Sequence, residues 1–194
     1  MFAIVKSIVT LPISVGLICA GFAVSVNAQE AEQPKRTTEV FGDWTVECIA
    51  PPAKADSAEK PAEQCEMRTQ VTVRGEDDVQ RPLIQLGIGQ LGLADDFWIV
   101  IQTPLKVVLQ DGVRFVLSST ESDDPDADEA LVKTRFLYCE KTHCVSQGRM
   151  GTVQLDALGD ADGARVIFVA APEKKLEIPL SLDGFSEARA AFVE

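Results

Sequence analysis

The stretch Phe41-Gly42-Asp43-Trp44-Thr45-Val46-Glu47-Cys48 opens the predicted domain and indicates its class. Trp44, Val46 and Cys48 alternate with polar residues, and this period of two places apolar side chains on one face of a β-strand. We therefore expect a half-buried strand here, with Phe41, Trp44 and Val46 as its apolar anchors.

Similar patterns recur along the chain. Further strands are predicted at Met67–Val73, Leu83–Ile88, Phe97–Thr103, Val107–Leu109, Val113–Leu117, Leu131–Tyr138, Val145 onward, Arg165–Ala170 and Leu176–Leu182. The Asp111-Gly112 pair between two apolar runs predicts a hairpin over 107–117. Strands that follow one another every roughly 8–15 residues, without alternating helices, indicate an all-β fold and favour a β-sandwich.

The C-terminal segment has a different period. Phe185, Ala188 and Phe192 lie at i, i+3 and i+7, which predicts a short amphipathic helix at the end of the domain. Trp44, Trp98 and Tyr138 could face a ligand, but aromatic side chains on alternating strands lie more often in the core.

The first 28 residues have the features of an export signal. Lys6 precedes the apolar run Ile8–Val24, and Val26-Asn27-Ala28 supplies small residues before Gln29. The alternative is an uncleaved membrane anchor, because the apolar run approaches the ~20 residues that span a bilayer. We expect a signal peptide at 1–28, a flexible polar leader at 29–39 and the folded domain at 40–194.

Composition excludes several classes of protein. The chain of 194 residues is 46% apolar and 25% charged, with 18 Lys+Arg against 30 Asp+Glu and a formal net charge of −12. These proportions fit one globular domain and exclude a collagen-like or wholly disordered chain. The negative charge argues against nucleic acid as a partner and against docking on anionic lipid.

Four cysteines remain after removal of the signal peptide. Cys48, Cys65, Cys139 and Cys144 allow three pairings, and an even number in an exported chain indicates disulfides. We expect the local pairing, 48 with 65 and 139 with 144, because it closes short loops without any assumption about topology. A zinc site beside His143 is the alternative, but the spacing lacks the two close pairs of ligands typical of zinc knuckles.

Two motifs resemble cofactor-binding or ion-binding sites, but each lacks a feature that such a site needs. Residues 87–92 have the spacing of a dinucleotide-binding fingerprint, but a turn and a strand follow where the phosphate-binding helix should begin, so a glycine-rich hairpin connection is favoured. The acidic segment 121–129 begins like a calcium loop, but Glu129 and Arg135 stand where that loop needs Gly and Glu. We predict a solvated acidic loop, with weak calcium binding as the alternative, and no cofactor.

Catalytic residues are not indicated. His143 is the chain's single histidine and lies inside the short loop between Cys139 and Cys144, and no Gly-x-Ser-x-Gly elbow presents a serine. We therefore predict no catalytic, cofactor-binding or metal-binding residue. The alternative is a periplasmic hydrolase or metal-dependent enzyme built on His143 and two nearby carboxylates.

Taken together, these residues resemble the invasion-associated locus B (IalB) family of exported Gram-negative bacterial proteins. The resemblance extends over about residues 40 to 192, and its positions are Phe41–Trp44, Cys48, Cys65, Pro104, Leu109, Gly112, Cys139, Cys144, Leu180–Phe185 and Ala188. Leu105 and His143 stand where the family often has glycine, which leaves the local loop conformations open.

The resemblance implies an immunoglobulin-like β-sandwich with disulfides and a role in attachment to host cells or invasion. It carries no established active site. We therefore expect a non-enzymatic, exported binding or envelope protein, located in the periplasm or on the outer surface of a Gram-negative bacterium. Its expected partner is an unidentified protein or a component of the envelope or host surface, and no membrane span remains after signal cleavage.

Overall fold

Ten strands and two helices make up the structure, a computed structural model that describes residues 34–51, 63–75, 77–90, 96–118 and 130–193. The strands are β1 (Lys35–Phe41), β2 (Trp44–Ala50), β3 (Gln64–Arg74), β4 (Gln80–Gln90), β5 (Asp96–Pro104), β6 (Val113–Leu117), β7 (Val132–Cys139), β8 (His143–Gly151), β9 (Ala164–Ala170) and β10 (Lys174–Leu180). The helices are α1 (Thr152–Gly159) and α2 (Phe185–Val193). The predicted signal peptide and the acidic segment 121–129 lie outside the described residues.

The described strands form one antiparallel sheet in the order β1-β2-β3-β4-β5-β8-β7-β6-β9-β10. β7 joins its two parts, because Val132–Thr134 pair with β6 while Arg135–Cys139 pair with β8, with a register shift between Phe136 and Tyr138. The all-β class and the antiparallel pairing are therefore confirmed. The division into two sheets expected of an immunoglobulin-like sandwich is not confirmed, because one bulged strand bonds to both parts.

One core lies inside the curled sheet. Buried side chains reach it from strands β2 to β10 and from both helices, and they include Trp44, Met67, Ile84, Ile99, Phe115, Leu155, Phe168 and Phe185. The alternation seen in the sequence is thus a division of faces, with apolar residues turned inward and their polar neighbours outward.

The hairpin predicted over 107–117 is wrong. Leu109–Asp111 form a single 3₁₀ turn, and β6 then pairs with β7 and β9 instead of returning along Val107. Gly112 has φ +65°, and a Cβ there would overlap the Thr134 carbonyl. The glycine therefore serves the close passage of the chain beside β7 rather than a two-residue turn.

One boundary and one helix also differ from the prediction. Residues 35–39, expected in the flexible leader, lie in β1 and pair with β2 from Lys35 opposite Ala50 to Phe41 opposite Trp44. Helix α1 was not predicted, although Leu155 and Leu158 are three positions apart and both are buried. The C-terminal helix is confirmed as α2, with Phe185, Ala188 and Phe192 buried.

Trp44 ties the beginning of the sheet to the segment that follows its last strand. Its buried indole Nε1 donates a hydrogen bond to the Ser181 carbonyl at 3.3 Å, and its ring meets Phe185 edge-on with centroids 5.0 Å apart. The backbone N–H of Asp43 donates to the Asp183 carbonyl at 3.0 Å. Because β1 and β10 are the two edges of the sheet, these contacts hold its ends together.

We expect Trp44→Ala to lower the free energy of unfolding by about 3–5 kcal/mol, because it leaves a large cavity and an unpaired carbonyl. Trp98→Ala is the matched control, with an expected loss of about 1 kcal/mol because Trp98 is half-buried on the outer face. Urea denaturation followed by circular dichroism measures both, and equal losses would contradict this assignment of the two tryptophans.

Gly184→Ala tests the same closure through the backbone. Gly184 has φ +77°, and an added Cβ would overlap the Phe41 carbonyl, so we expect a loss of about 2 kcal/mol or more. Gly163→Ala is the control, since its nearest atoms lie at 3.7 Å and its stability should stay within about 0.5 kcal/mol of wild type. If thermal unfolding shows that both variants are as stable as the wild type, Gly184 does not make this close contact with Phe41.

Candidate binding trough

The outer face of the sheet carries polar side chains in register across several strands. Gln70, Gln85 and Gln102 lie directly opposite one another on β3, β4 and β5. A second row runs from Glu47 through Glu66, Gly89 and Trp98 to Arg149. Adjacent strands are about 4.8 Å apart, so neighbouring members of a row can act on one ligand.

Two glycines of β4 lie on this face, and one of them leaves space for a ligand. Gly87 and Gly89 point outward from β4, and among the described residues no heavy atom lies within 4 Å of a Cβ built on Gly89. The sequence favoured a glycine-rich hairpin connection here. Both glycines instead lie inside β4. Gly89 leaves open space between β3 and β5, whereas the Glu66 carboxylate occupies the position beside Gly87. Gly92 lies outside the described residues.

The resulting surface consists of three adjoining depressions of about 620, 640 and 540 Å³. The first two share Gln85 and Gln102, and the first and third share Glu66, Arg68, Gly87 and Val100. We call this continuous surface the outer trough. Its strands are held by the core beneath them, so its side chains stand on a rigid base.

Trp98 forms one side of the third depression. The Arg149 guanidinium lies 5.2 Å from the indole centroid and is held by an ion pair with Asp96 at 3.2 Å. Gly89, which has no side chain, lies opposite Trp98 on the next strand. The indole therefore has a cation on one strand beside it and open space on the other.

All three aromatic residues were expected in the core. Trp44 is fully buried there, whereas Trp98 is half-buried on the outer face and Tyr138 is exposed, so the expectation is wrong for these two. The alternation of inward and outward side chains along β5 explains the position of Trp98. Phe97, Ile99 and Ile101 are buried, so Trp98 shares its face with Gln102. The alternation along β5 is visible in the sequence, but it assigns Trp98 to the outer face only when the inward face of β5 is known.

Charges in the trough are largely paired and balanced. Glu47 bonds both Arg36 and Arg68, and the Arg81 guanidinium bonds Asp77 and holds the pKa of the Asp77 carboxyl below its usual value. The acidic lining residues are Asp43, Glu47 and Glu66, and the basic ones are Arg36, Arg68 and Arg81. The trough is therefore close to neutral in a chain of net charge −12.

His143 lies at the start of β8, at one end of the trough. Its Nδ1 is 3.1 Å from the Thr142 hydroxyl oxygen, and the described lining of its depression contains Arg81 but no carboxylate. The enzyme hypothesis required two acidic side chains within reach of His143. The described residues do not provide that arrangement.

Two disulfides link neighbouring strands of the sheet. Cys48 and Cys65 face each other on β2 and β3 with Cα atoms 4.0 Å apart, and Cys139 and Cys144 close the β7–β8 hairpin at 3.9 Å. Within the described ranges no three His, Cys, Asp or Glu side chains are grouped so as to hold a metal ion. No helix found there has the length and apolar character needed to span a bilayer.

This fold and surface define a class: a disulfide-braced, antiparallel all-β protein with an open polar trough across its sheet. The chain belongs to the invasion associated locus B (IalB) protein family, whose sequence profile matches residues 44–193. The resemblance noted in the sequence is therefore confirmed.

Among solved structures, the chain is similar to the crystal structure of invasion associated protein b from Bartonella henselae. The TM-score is 0.59 and the sequence identity is 18%, and the match covers 81% of this chain and 95% of that one. At this identity the likeness shows the fold alone. No curated protein sequence matches the chain.

We expect the two disulfides to differ in their contribution to stability. Replacing Cys48 and Cys65 by Ala opens a loop of 17 residues and should cost about 3 kcal/mol, against about 2 kcal/mol for the 5-residue loop of Cys139 and Cys144. Each pair serves as control for the other in denaturant titrations. Nonreducing peptide mapping of the native protein should yield these two pairs, and a crossed pair or free thiols would contradict the assignment.

Proposed function

We propose that the protein is exported and acts, without catalysis, as a binding protein in attachment to host cells or invasion, through the outer trough. The observation that carries this proposal is the family match over 44–193, because the family is described as invasion-associated. The name of the Bartonella neighbour agrees with it.

The trough supports a binding role by its construction. It is open and spans several strands, and its charged groups are mostly engaged with one another rather than aimed at one point. The ion-paired Arg36, Glu47 and Arg68 side chains are already held in place on rigid strands, so they lose little freedom when a partner docks, which favours recognition of an extended ligand.

Export supports the proposal as well. The predicted signal peptide at 1–28 would deliver the chain to the periplasm or the outer surface of a Gram-negative cell, where disulfides form and persist. The two cross-strand disulfides are consistent with that compartment.

A deletion strain of the bacterium that encodes the protein provides the test. We expect the full-length gene to restore attachment to or entry into cultured host cells, with the mature chain beginning at Gln29. Trp98→Ala should fail to restore it, while Lys174→Ala, on the opposite edge of the sheet, should restore it fully. A deletion strain that attaches and enters normally, or a Trp98 variant that restores fully, would overturn the proposal.

His143→Ala separates binding from catalysis in the same assay. A binding protein that holds its partner in the depression beside Trp98 should keep its activity, because His143 lines a different depression and its side chain bonds a hydroxyl of its own hairpin. Loss of host-cell attachment with an unchanged thermal unfolding midpoint would instead favour the hydrolase.

A further inference from the structure

The outer trough combines an aromatic side chain, open space and side-chain amides. From this combination we infer that its ligand is a neutral oligosaccharide; the inference rests on the proposed function and names the class of partner for the same surface. A pyranose ring has an apolar C–H face and a rim of hydroxyl groups, each of which both donates and accepts hydrogen bonds.

Trp98 supplies the apolar platform. The indole is half-buried, so a sugar that packs on it displaces little water from the ring. The side chain is already ordered, so it loses little freedom on binding. Arg149 stabilises the ring from one side, and Gly89 leaves the adjoining position empty. The depression of about 540 Å³ at this point lies within the usual range for small-ligand sites.

The glutamine row supplies the polar contacts. Gln70, Gln85 and Gln102 each carry an amide oxygen that accepts and an NH₂ group that donates, which matches the dual character of hydroxyl groups. Their side chains form no hydrogen bond with any other part of the chain that the structure describes. These amides therefore remain available to an extended ligand that crosses the strands.

Glu66 adds a carboxylate beside this row. It lies directly opposite Glu47, an arrangement that like charges make unfavourable, and Glu47 alone of the two is bonded to Arg36 and Arg68. Among the described residues Glu66 has no ion-pair partner. A carboxylate in this position can accept two hydrogen bonds from neighbouring hydroxyl groups of one sugar.

Electrostatics select the neutral class of glycan. Three acidic and three basic side chains line the trough, and most of the basic groups are engaged in ion pairs. A sulfated or sialylated chain would gain little from these arginines and would be repelled by Glu66 and by the net charge of −12. The charged side chains that are already in ion pairs can still form hydrogen bonds with the hydroxyl groups of a neutral sugar.

Titration of the purified exported protein with a fixed panel of sugars tests the inference. The panel contains maltohexaose, cellohexaose, chitohexaose, mannohexaose and lacto-N-neotetraose as neutral probes, with a heparin hexasaccharide and sialyllactose as charged ones. We expect at least one neutral probe to bind and to change the tryptophan emission through Trp98.

Gly89→Val is the decisive variant. It fills the open space with a β-branched residue that suits a strand, and no described heavy atom lies within 4 Å of the added Cβ, so folding should be preserved. We expect at least a tenfold loss of affinity with an unchanged unfolding midpoint, whereas Lys174→Val should bind as the wild type does. If Gly89→Val unfolds, Trp98→Leu replaces it with the same expected loss.

Three results would overturn the inference: no neutral probe binds, only the heparin or sialylated probe binds, or Gly89→Val and Trp98→Leu bind as well as wild type. The proposed function fails separately. If no sugar binds while the Trp98→Ala strain still fails to attach, the trough remains a binding surface and only its glycan assignment is wrong.

Discussion

The contact between Trp44 and the segment 181–185 is the constraint on which the rest of the structure depends. An antiparallel sheet of ten strands has two free edges, and edges with unpaired backbone groups invite association with other chains. Here the residues after β10 reach the turn between β1 and β2. The indole hydrogen bond, the ring contact with Phe185 and the Asp43–Asp183 backbone bond act together at that point.

This closure fixes which face of the sheet becomes the core. Once Trp44 is inside, the period of two places Val46 inward and Thr45 outward, and hydrogen-bonded register carries the same parity to neighbouring strands. The outer trough is therefore a consequence of the core. Its polar rows stand opposite the buried rows, and its base is as rigid as the packing below it.

Much of this could be predicted from local pattern. Most strands and the C-terminal helix follow from periodicity, because both depend on side chains close in sequence. The 107–117 hairpin is wrong and the two-sheet arrangement is not confirmed, for a different reason. Gly112 and β7 take their roles from strands distant in sequence, so no local rule could choose between a tight turn and a close passage beside β7.

The candidate site shows the same limit. Gly87 and Gly89 have the spacing of a nucleotide-binding motif and the composition of a turn, yet they lie within a strand, where Gly89 leaves the outward face open and the Glu66 carboxylate covers Gly87. Trp98 acquires its significance only when it lies opposite Gly89 across two paired strands. Helix α1 was missed because its eight residues contribute only two buried leucines to a core assembled from many elements.

A double-mutant cycle between Trp44 and Phe185 tests the closure most directly. The free energy of unfolding is measured for wild type, Trp44→Leu, Phe185→Leu and the double variant, all from urea titrations. Direct ring contact predicts a coupling energy of about 0.5–1.5 kcal/mol between the two positions. Additive losses, with a coupling energy below about 0.3 kcal/mol, would show that the two ends of the sheet are not held together at this point.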